Sequence, residues 1–309
     1  MSKFIVGIDV GGTNVKAGLV EKSGKIIART SLNTKAFNQN KNQLILAMVG
    51  MIKDFLIDHH LKSSQIVGIG IGLPGLIDPP RGVVRFLPNI PGWENVRLAE
   101  IFKKKLGIPA FLENDVHLIT LGEWKFGAGR GATDMICMTL GTGVGSGLIL
   151  NNQVYRGPAY VAGELGHMPL NEEGPDCACG GYGCFERYVG NQALLEKAKA
   201  QFQDANITLE DMTALAREKN PQALKFWEEV GQQVGNGLVG VVNLLNPKLI
   251  VIGGGVANAN FPFLSKSILQ TIHRRAMKVQ GAMVKIKRAQ LGNDAGLQGA
   301  WVLVKSQGR

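Results

Sequence analysis

Two stretches far apart in the chain open in the same way. Ile8-Asp9-Val10-Gly11-Gly12-Thr13 and Met138-Thr139-Leu140-Gly141-Thr142-Gly143 each run from an apolar strand into a Gly/Thr turn. Each turn is followed by a second apolar strand, at residues 15–20 and 144–150. Short apolar, β-branched runs joined by a glycine turn read as hairpins. A hairpin that recurs at the head of two strand–helix patterns predicts two related α/β domains facing each other across a cleft. At 309 residues the chain is long enough for two cores. No Pro- or Ser-rich linker divides the halves, so the boundary is expected to be a hinge near residues 113–118.

Between the turns, periodicity predicts strands at 4–10, 15–20, 25–32, 66–72 and 109–112, and helices at 41–60, 97–106 and 116–126. The second half predicts strands at 135–140, 144–150, 248–252 and 283–289. Its helices are expected at 191–203, 208–218, 222–245, 262–276 and 294–305.

Composition narrows the function. Glycine is in surplus, 41 residues where average usage of about 7% gives roughly 22. The apolar content of 45% is that of a globular protein, and no collagen-like period accompanies the glycine. No apolar run reaches the roughly 18 residues of a membrane span, and the N-terminus lacks a signal-peptide layout. Four cysteines make no disulfide framework, so a reducing cytoplasm is the expected location. The net charge is +10, of which residues 266–309 hold +8. That basic segment suits a nucleic acid or a solvated face. No zinc finger, RNP motif or heptad-backed basic region is present, and the sequence leaves no room for a helix-turn-helix before its first strand, so the solvated face is favoured.

Glycine clusters lie at three strand ends: Gly11-Gly12, then Gly141, Gly143, Gly145 and Gly147, then Gly253-Gly254-Gly255. Such turns let backbone N–H groups converge on an anion, and Thr13 and Thr142 add hydroxyl donors. The spacing matches neither the Rossmann nor the P-loop fingerprint. Three clusters, two at duplicated positions, favour phosphate binding over plain turn chemistry.

Glu113-Asn114-Asp115 falls where a short strand meets a helix. Asp115 suits a helix N-cap, and it also suits a general base accepting a hydroxyl proton as that oxygen attacks phosphorus; the two are compatible. Asn114 adds a two-headed hydrogen-bonding group for a hydroxyl-rich ligand. Three cysteines crowd into Cys177-Ala-Cys179-Gly-Gly-Tyr-Gly-Cys184, and His167 is the nearest histidine. Three thiolates and one imidazole complete a closed tetrahedral zinc site, favoured over a free-thiol loop.

These motifs together resemble the repressor–ORF–kinase (ROK) family. Gly141-Thr-Gly-Val-Gly-Ser-Gly-Leu148, Gly157 and Gly163-Glu-Leu-Gly-His167 look like its signature. Cys177-x-Cys-Gly-x-x-Gly-Cys184-x-Glu186 looks like its zinc motif. Asp9-Val-Gly-Gly-Thr13 resembles the first phosphate loop of the wider hexokinase/actin superfamily. Leu87-Pro-Asn-Ile-Pro-Gly-Trp93 and Glu113-Asn-Asp115 also match, and the resemblance spans nearly the whole chain.

The resemblance implies an α/β fold of two actin-like (ribonuclease H-like) domains flanking an active-site cleft. Residues 1–117 with 295–309 would form the smaller domain and 118–294 the larger, which carries the zinc loop. It further implies an ATP-dependent hexose 6-phosphotransferase with Mg²⁺ and structural Zn²⁺, a cytoplasmic homodimer with no nucleic-acid or membrane partner. Asp115 matches the catalytic base. Gly75, Asn89, Asn114, Glu164, His167 and Glu186 match sugar-binding positions. Asp9, Gly11, Gly12, Thr13, Asn14, Lys16, Thr142, Gly143 and Gly254 match the nucleotide and Mg²⁺ positions. His167, Cys177, Cys179 and Cys184 match the zinc ligands. Glucose is the expected substrate; N-acetylmannosamine or N-acetylglucosamine is the alternative, and fructose ranks lower. A sugar-responsive transcriptional regulator without its DNA-binding domain is the non-enzyme alternative. One departure stands out: the Asn-Asp pair is followed by Val116-His117 where the family often has Ala-Asn. His117 is read as a helix-face histidine, with titration near neutral pH as the other reading.

Overall fold

The structure is a computed structural model that describes all residues except 1–2, 38–39, 88–91 and 308–309. The chain divides into two units, Met1–Gly131 with Val154–Ala162 and Asn293–Arg309, and Ala132–Gln153 with Gly163–Gly292.

The first unit contains β1 (Phe4–Val10), β2 (Asn14–Val20), β3 (Ile26–Asn33), α1 (Lys41–Asp58) and β4 (Ile66–Leu73). A small hairpin follows, β5 (Leu76–Asp78) and β6 (Val83–Phe86), then α2 (Leu98–Leu106), β7 (Ala110–Asn114) and α3 (Asp115–Phe126). Its sheet has the order β3-β2-β1-β4-β7. The first three strands are antiparallel, whereas β4 and β7 run parallel to β1. Fully buried Val6, Ile8, Ile69, Ile71 and Leu112 meet Met48 and Ile52 of α1 in one core.

The second unit begins with β8 (Met135–Leu140) and β9 (Val144–Leu150), followed by the short strand β10 (Gln153–Tyr155), of which Gln153 belongs to this unit. Four helices follow, α4 (Glu186–Val189), α5 (Asn191–Phe202), α6 (Leu209–Arg217) and α7 (Pro221–Leu245). The unit ends with β11 (Leu249–Gly253), α8 (Gly255–Arg275), α9 (Lys278–Met283) and β12 (Lys285–Arg288). Its sheet order, β10-β9-β8-β11-β12, repeats the first with β8 and β9 antiparallel and β11 and β12 parallel to β8. The duplication seen in two turns therefore extends through both sheets. A separate core forms between Ile136, Ile250 and Ile252 of the sheet and Phe226, Val234 and Leu264 of the helices. The edge strand β12 exposes Lys285, Lys287 and Arg288. Cations on an edge strand oppose pairing with another chain, which gives part of the basic segment a structural role.

After β12 the chain returns to the first unit as α10 (Ala295–Gln307). It packs against α3 so closely that a Cβ at Gly299 would overlap the Leu118 carbonyl, and one at Gly122 the Ala295 carbonyl. This packing keeps all of α3, and residues up to Gly131, in the first unit. The hinge expected near 113–118 falls inside β7 and α3 instead. Helix α8 also departs from expectation, starting at Gly255 with Pro262 inside it rather than at 262. Its early stripe is broken by buried Asn260, whose Nδ2 donates to the Val256 carbonyl at 3.0 Å.

Candidate active site

In the first unit the parallel strands β1, β4 and β7 deliver their C-terminal ends to one edge of the sheet, where open α/β sheets gather ligands. Asp9 lies at that end of β1, and Asp115 directly follows β7. Register pairs Asp9 with Gly72 and Leu73 with Asn114, so the two strands that position them lie two places apart in the sheet, their backbones about 10 Å apart by strand spacing. Burial, then the charge of Asp9, pushes the Asp115 carboxyl up to about 6. Burial also raises Asp9, with Lys16, its cross-strand partner on β2, pulling the other way.

Local chemistry fixes Asp115. Asn114, not Asp115, is the N-cap of α3: its Oδ1 accepts from the Val116 and His117 amides at 2.9 and 3.2 Å. Asp115 is the first helical residue, and its Oδ1 accepts from Val116 N at 2.9 Å. The cap occupies the Asn114 oxygen, leaving its Nδ2, 3.5 Å from the Gly75 carbonyl, as the outward donor.

The first Gly/Thr turn is closed by Gly11 N donating to Asn14 O at 2.9 Å. Buried Thr34 braces it, its N and Oγ1 donating to Thr13 O and Gly11 O, both at 2.9 Å. Gly12, Thr13 and Asn14 remain exposed. Asn89 lies outside the described residues.

In the second unit β8 and β11 are parallel neighbours, which brings the 141–143 turn beside the start of α8. Gly254 is the N-cap of α8 with φ +88°, and a Cβ there would overlap the Leu140 backbone. Only glycine combines that backbone conformation with so close an approach. A Gly/Thr turn beside the N-terminus of a 21-residue helix is a ready anion site. Glu186 enters from α4: its Oε2 accepts from Val144 N at 2.9 Å and packs over Gly143 where a side chain would sit. The short helix Leu165–His167 packs on the same turn, a Cβ at Gly166 overlapping the Val144 carbonyl, and the exposed Glu164 stands at its N-cap position with no side-chain cap hydrogen bond. Thr142, Gly143, Glu164, His167, Glu186 and Gly254 are thus neighbours of one turn.

His167, Cys177, Cys179 and Cys184 place four ligand atoms within 4.8 Å of one another. The Cys179–Cys184 sulfurs are 3.7 Å apart, and Cys177 Sγ is 3.6 Å from His167 Nδ1. A tetrahedron with Zn–S near 2.3 Å and Zn–N near 2.0 Å has edges of about 3.5–3.8 Å, which these separations fit. Burial and the neighbouring sulfurs of Cys179 and Cys177 push the Cys184 thiol up to about 12, a crowding that a divalent cation relieves.

One constellation escaped the sequence reading. Glu113 and His117 are buried, not surface residues: His117 Nδ1 is 3.1 Å from Glu113 Oε1, and its Nε2 is 3.0 Å from the Ala162 carbonyl. Arg156 Nε donates to Glu113 Oε2 at 2.6 Å. Burial works to raise Glu113, but the His117 hydrogen bond and the Arg156 charge outweigh it and hold the carboxyl below its usual range. The i,i+4 spacing of Glu113 and His117 was visible; their partner segment was not.

Two sheets of one strand order, each with a Gly/Thr turn after its first strand, define an actin-like α/β protein in two copies. The chain belongs to the ROK family, whose profile matches residues 5–307. It is 32% identical to a glucokinase of Streptomyces coelicolor, over 96% of this chain and 95% of the relative. A ROK glucokinase from Streptomyces griseus, solved with glucose and AMPPNP, aligns with TM-score 0.80 and 30% identity over 98% of this chain and 99% of that one. A ROK transcriptional regulator, a homologue of the E. coli MLC protein, aligns with TM-score 0.88 and 26% identity over 98% of this chain and 78% of that one. Among the described residues no helix is long and apolar enough to cross a membrane.

Proposed function

We propose that the protein is an ATP-dependent glucokinase that phosphorylates the 6-hydroxyl of glucose, with Asp115 as general base. The observation that carries the catalytic reading is Asp115 itself. Its carboxyl sits at the open end of the parallel strands with its proton affinity raised to about 6, near the working pH of a base. As the sugar oxygen bonds to the γ-phosphorus, its proton passes to Asp115 Oδ and the bond from phosphorus to the β-phosphate oxygen breaks, releasing ADP. Backbone N–H groups and hydroxyls at Gly12, Thr13, Thr142, Gly143 and Gly254, with Asn14 and Lys16, hold the phosphates, and Gly11, whose N–H closes its turn, shapes that cradle. Asp9 would hold Mg²⁺, which when bound neutralises charge on the β- and γ-phosphates.

Gly75, Asn89, Asn114, Glu164, His167 and Glu186 read the sugar. Buried polar groups left unpaired by a wrong sugar give the discrimination. Zn²⁺ on His167, Cys177, Cys179 and Cys184 would be structural, since four protein ligands leave no open position. The four ligands would tie the short helix that ends at His167 to the segment that leads into α4 and Glu186. Homodimerisation belongs to the same reading.

The similarity to the MLC homologue supports a second reading, a sugar-sensing regulator. An assay of ADP release over glucose, mannose, fructose, N-acetylglucosamine and N-acetylmannosamine separates the two. Turnover of glucose above the others is expected; turnover of an N-acetylhexosamine would move the substrate within the family. Sugar binding with no turnover would point to the regulator.

A further inference from the structure

We propose that His117, whose ring bridges Glu113 and the Ala162 carbonyl, is a positioning residue. It latches the segment 154–162 onto the strand–helix junction that carries Asp115. The inference rests on the kinase reading only for its kinetic consequence.

Both ring nitrogens face acceptors: Nδ1 faces a carboxylate oxygen and Nε2 a backbone carbonyl. The side chain is 4% exposed, so water does not compete for either contact.

The latch grips two points of one closed loop. Arg156 reaches Glu113 Oε2, and the Ala162 carbonyl receives His117, while Ala162 N donates to Arg156 O at 2.9 Å and closes the loop on itself. Glu113 Oε1 also accepts from Asn114 N at 3.1 Å, so the same carboxylate fixes the backbone that enters Asn114 and Asp115. Two residues beyond Ala162 the chain reaches Glu164, assigned above to the sugar. The cluster therefore fixes the entry to the base, and the loop it grips ends two residues before Glu164. An asparagine at 117, frequent in the family, is too short to span Glu113 and Ala162 as the imidazole does.

Hydrogen exchange on the full-length protein tests the latch directly, comparing wild type with His117→Phe and His117→Gln. Loss of the imidazole in His117→Phe is expected to raise exchange across 157–163 at least about tenfold, with the β1 and β4 amides unchanged; glutamine, which keeps a donor, restores part of the protection. The Michaelis constant for the sugar should rise by a similar factor while that for ATP stays constant. If His117→Phe fails to fold, Arg156→Met removes the opposite grip from its partly exposed side and is read in the same way. Unchanged exchange across 157–163 in the folded variant overturns the latch, whatever the kinetics. Wild type without sugar turnover would sink the kinase reading, yet the exchange result would still decide the latch.

Discussion

Asp9 lies near the end of β1 and Asp115 directly follows β7, and Gly72, on the strand β4 between them, carries no side chain. A Cβ at Gly72 would lie 3.4 Å from the Asp115 Cα. Neither carboxylate accepts a charge-paired hydrogen bond from a cation among the described residues; burial raises both, and the charge of Asp9 adds to the cost of ionising Asp115. Such an arrangement is poor for stability and useful for proton transfer.

Asp115→Asn should therefore separate the two properties. Ionisation of a carboxyl whose pKa is about 6 folded and near 3.8 unfolded is disfavoured by folding, so the native state loses stability as pH rises from about 4 through 6. Above that window the neutral amide should stabilise the fold by about 1–2 kcal/mol, read as a higher Tm at pH 7.5 and little change at pH 4. A variant less stable than wild type at pH 7.5 would contradict the origin assigned to the shift.

The same group sets an acid limb. Protonated Asp115 cannot accept the sugar proton, so kcat/KM should fall about tenfold per unit below pH 6. A pH–rate profile flat down to pH 4.5 would exclude Asp115 as the titrating base.

Gly254→Ala should act on the nucleotide alone. The alanine meets the Leu140 backbone at a left-handed φ, displacing the start of α8 and the 141–143 turn beside it. The KM for ATP should rise about tenfold or more with the sugar KM unchanged, measured by titrating each substrate at saturation of the other.

Zinc content tests the four-ligand cluster. Purified protein should hold one zinc per chain by elemental analysis, and Cys184→Ala should lose it together with thermal stability. Stoichiometric zinc in that variant would place the metal elsewhere.

Much of this was legible in the sequence because it depends on period and on glycine. The alternating run at 4–10 and the turn at 11–14 became β1 and its hairpin, and the copy at 135–150 did the same. What escaped was short or tertiary. The β5–β6 hairpin is three and four residues long, too brief for periodicity to register. Pro262 looked like a helix start because buried Asn260 interrupts the apolar stripe before it. Asp115 and Asn114 both suit a cap, and only backbone geometry assigns that role to Asn114. His117 was misread because its acceptor, the Ala162 carbonyl, comes from a segment 45 residues away.

The most direct measurement is a single-turnover, rapid-quench experiment with glucose, ATP and Mg²⁺, comparing wild type with Asp115→Asn. The account predicts glucose 6-phosphate from wild type. The variant should still bind glucose, with phosphoryl transfer slower by about 10²–10⁴. A variant that transfers phosphate at near the wild-type rate would contradict it.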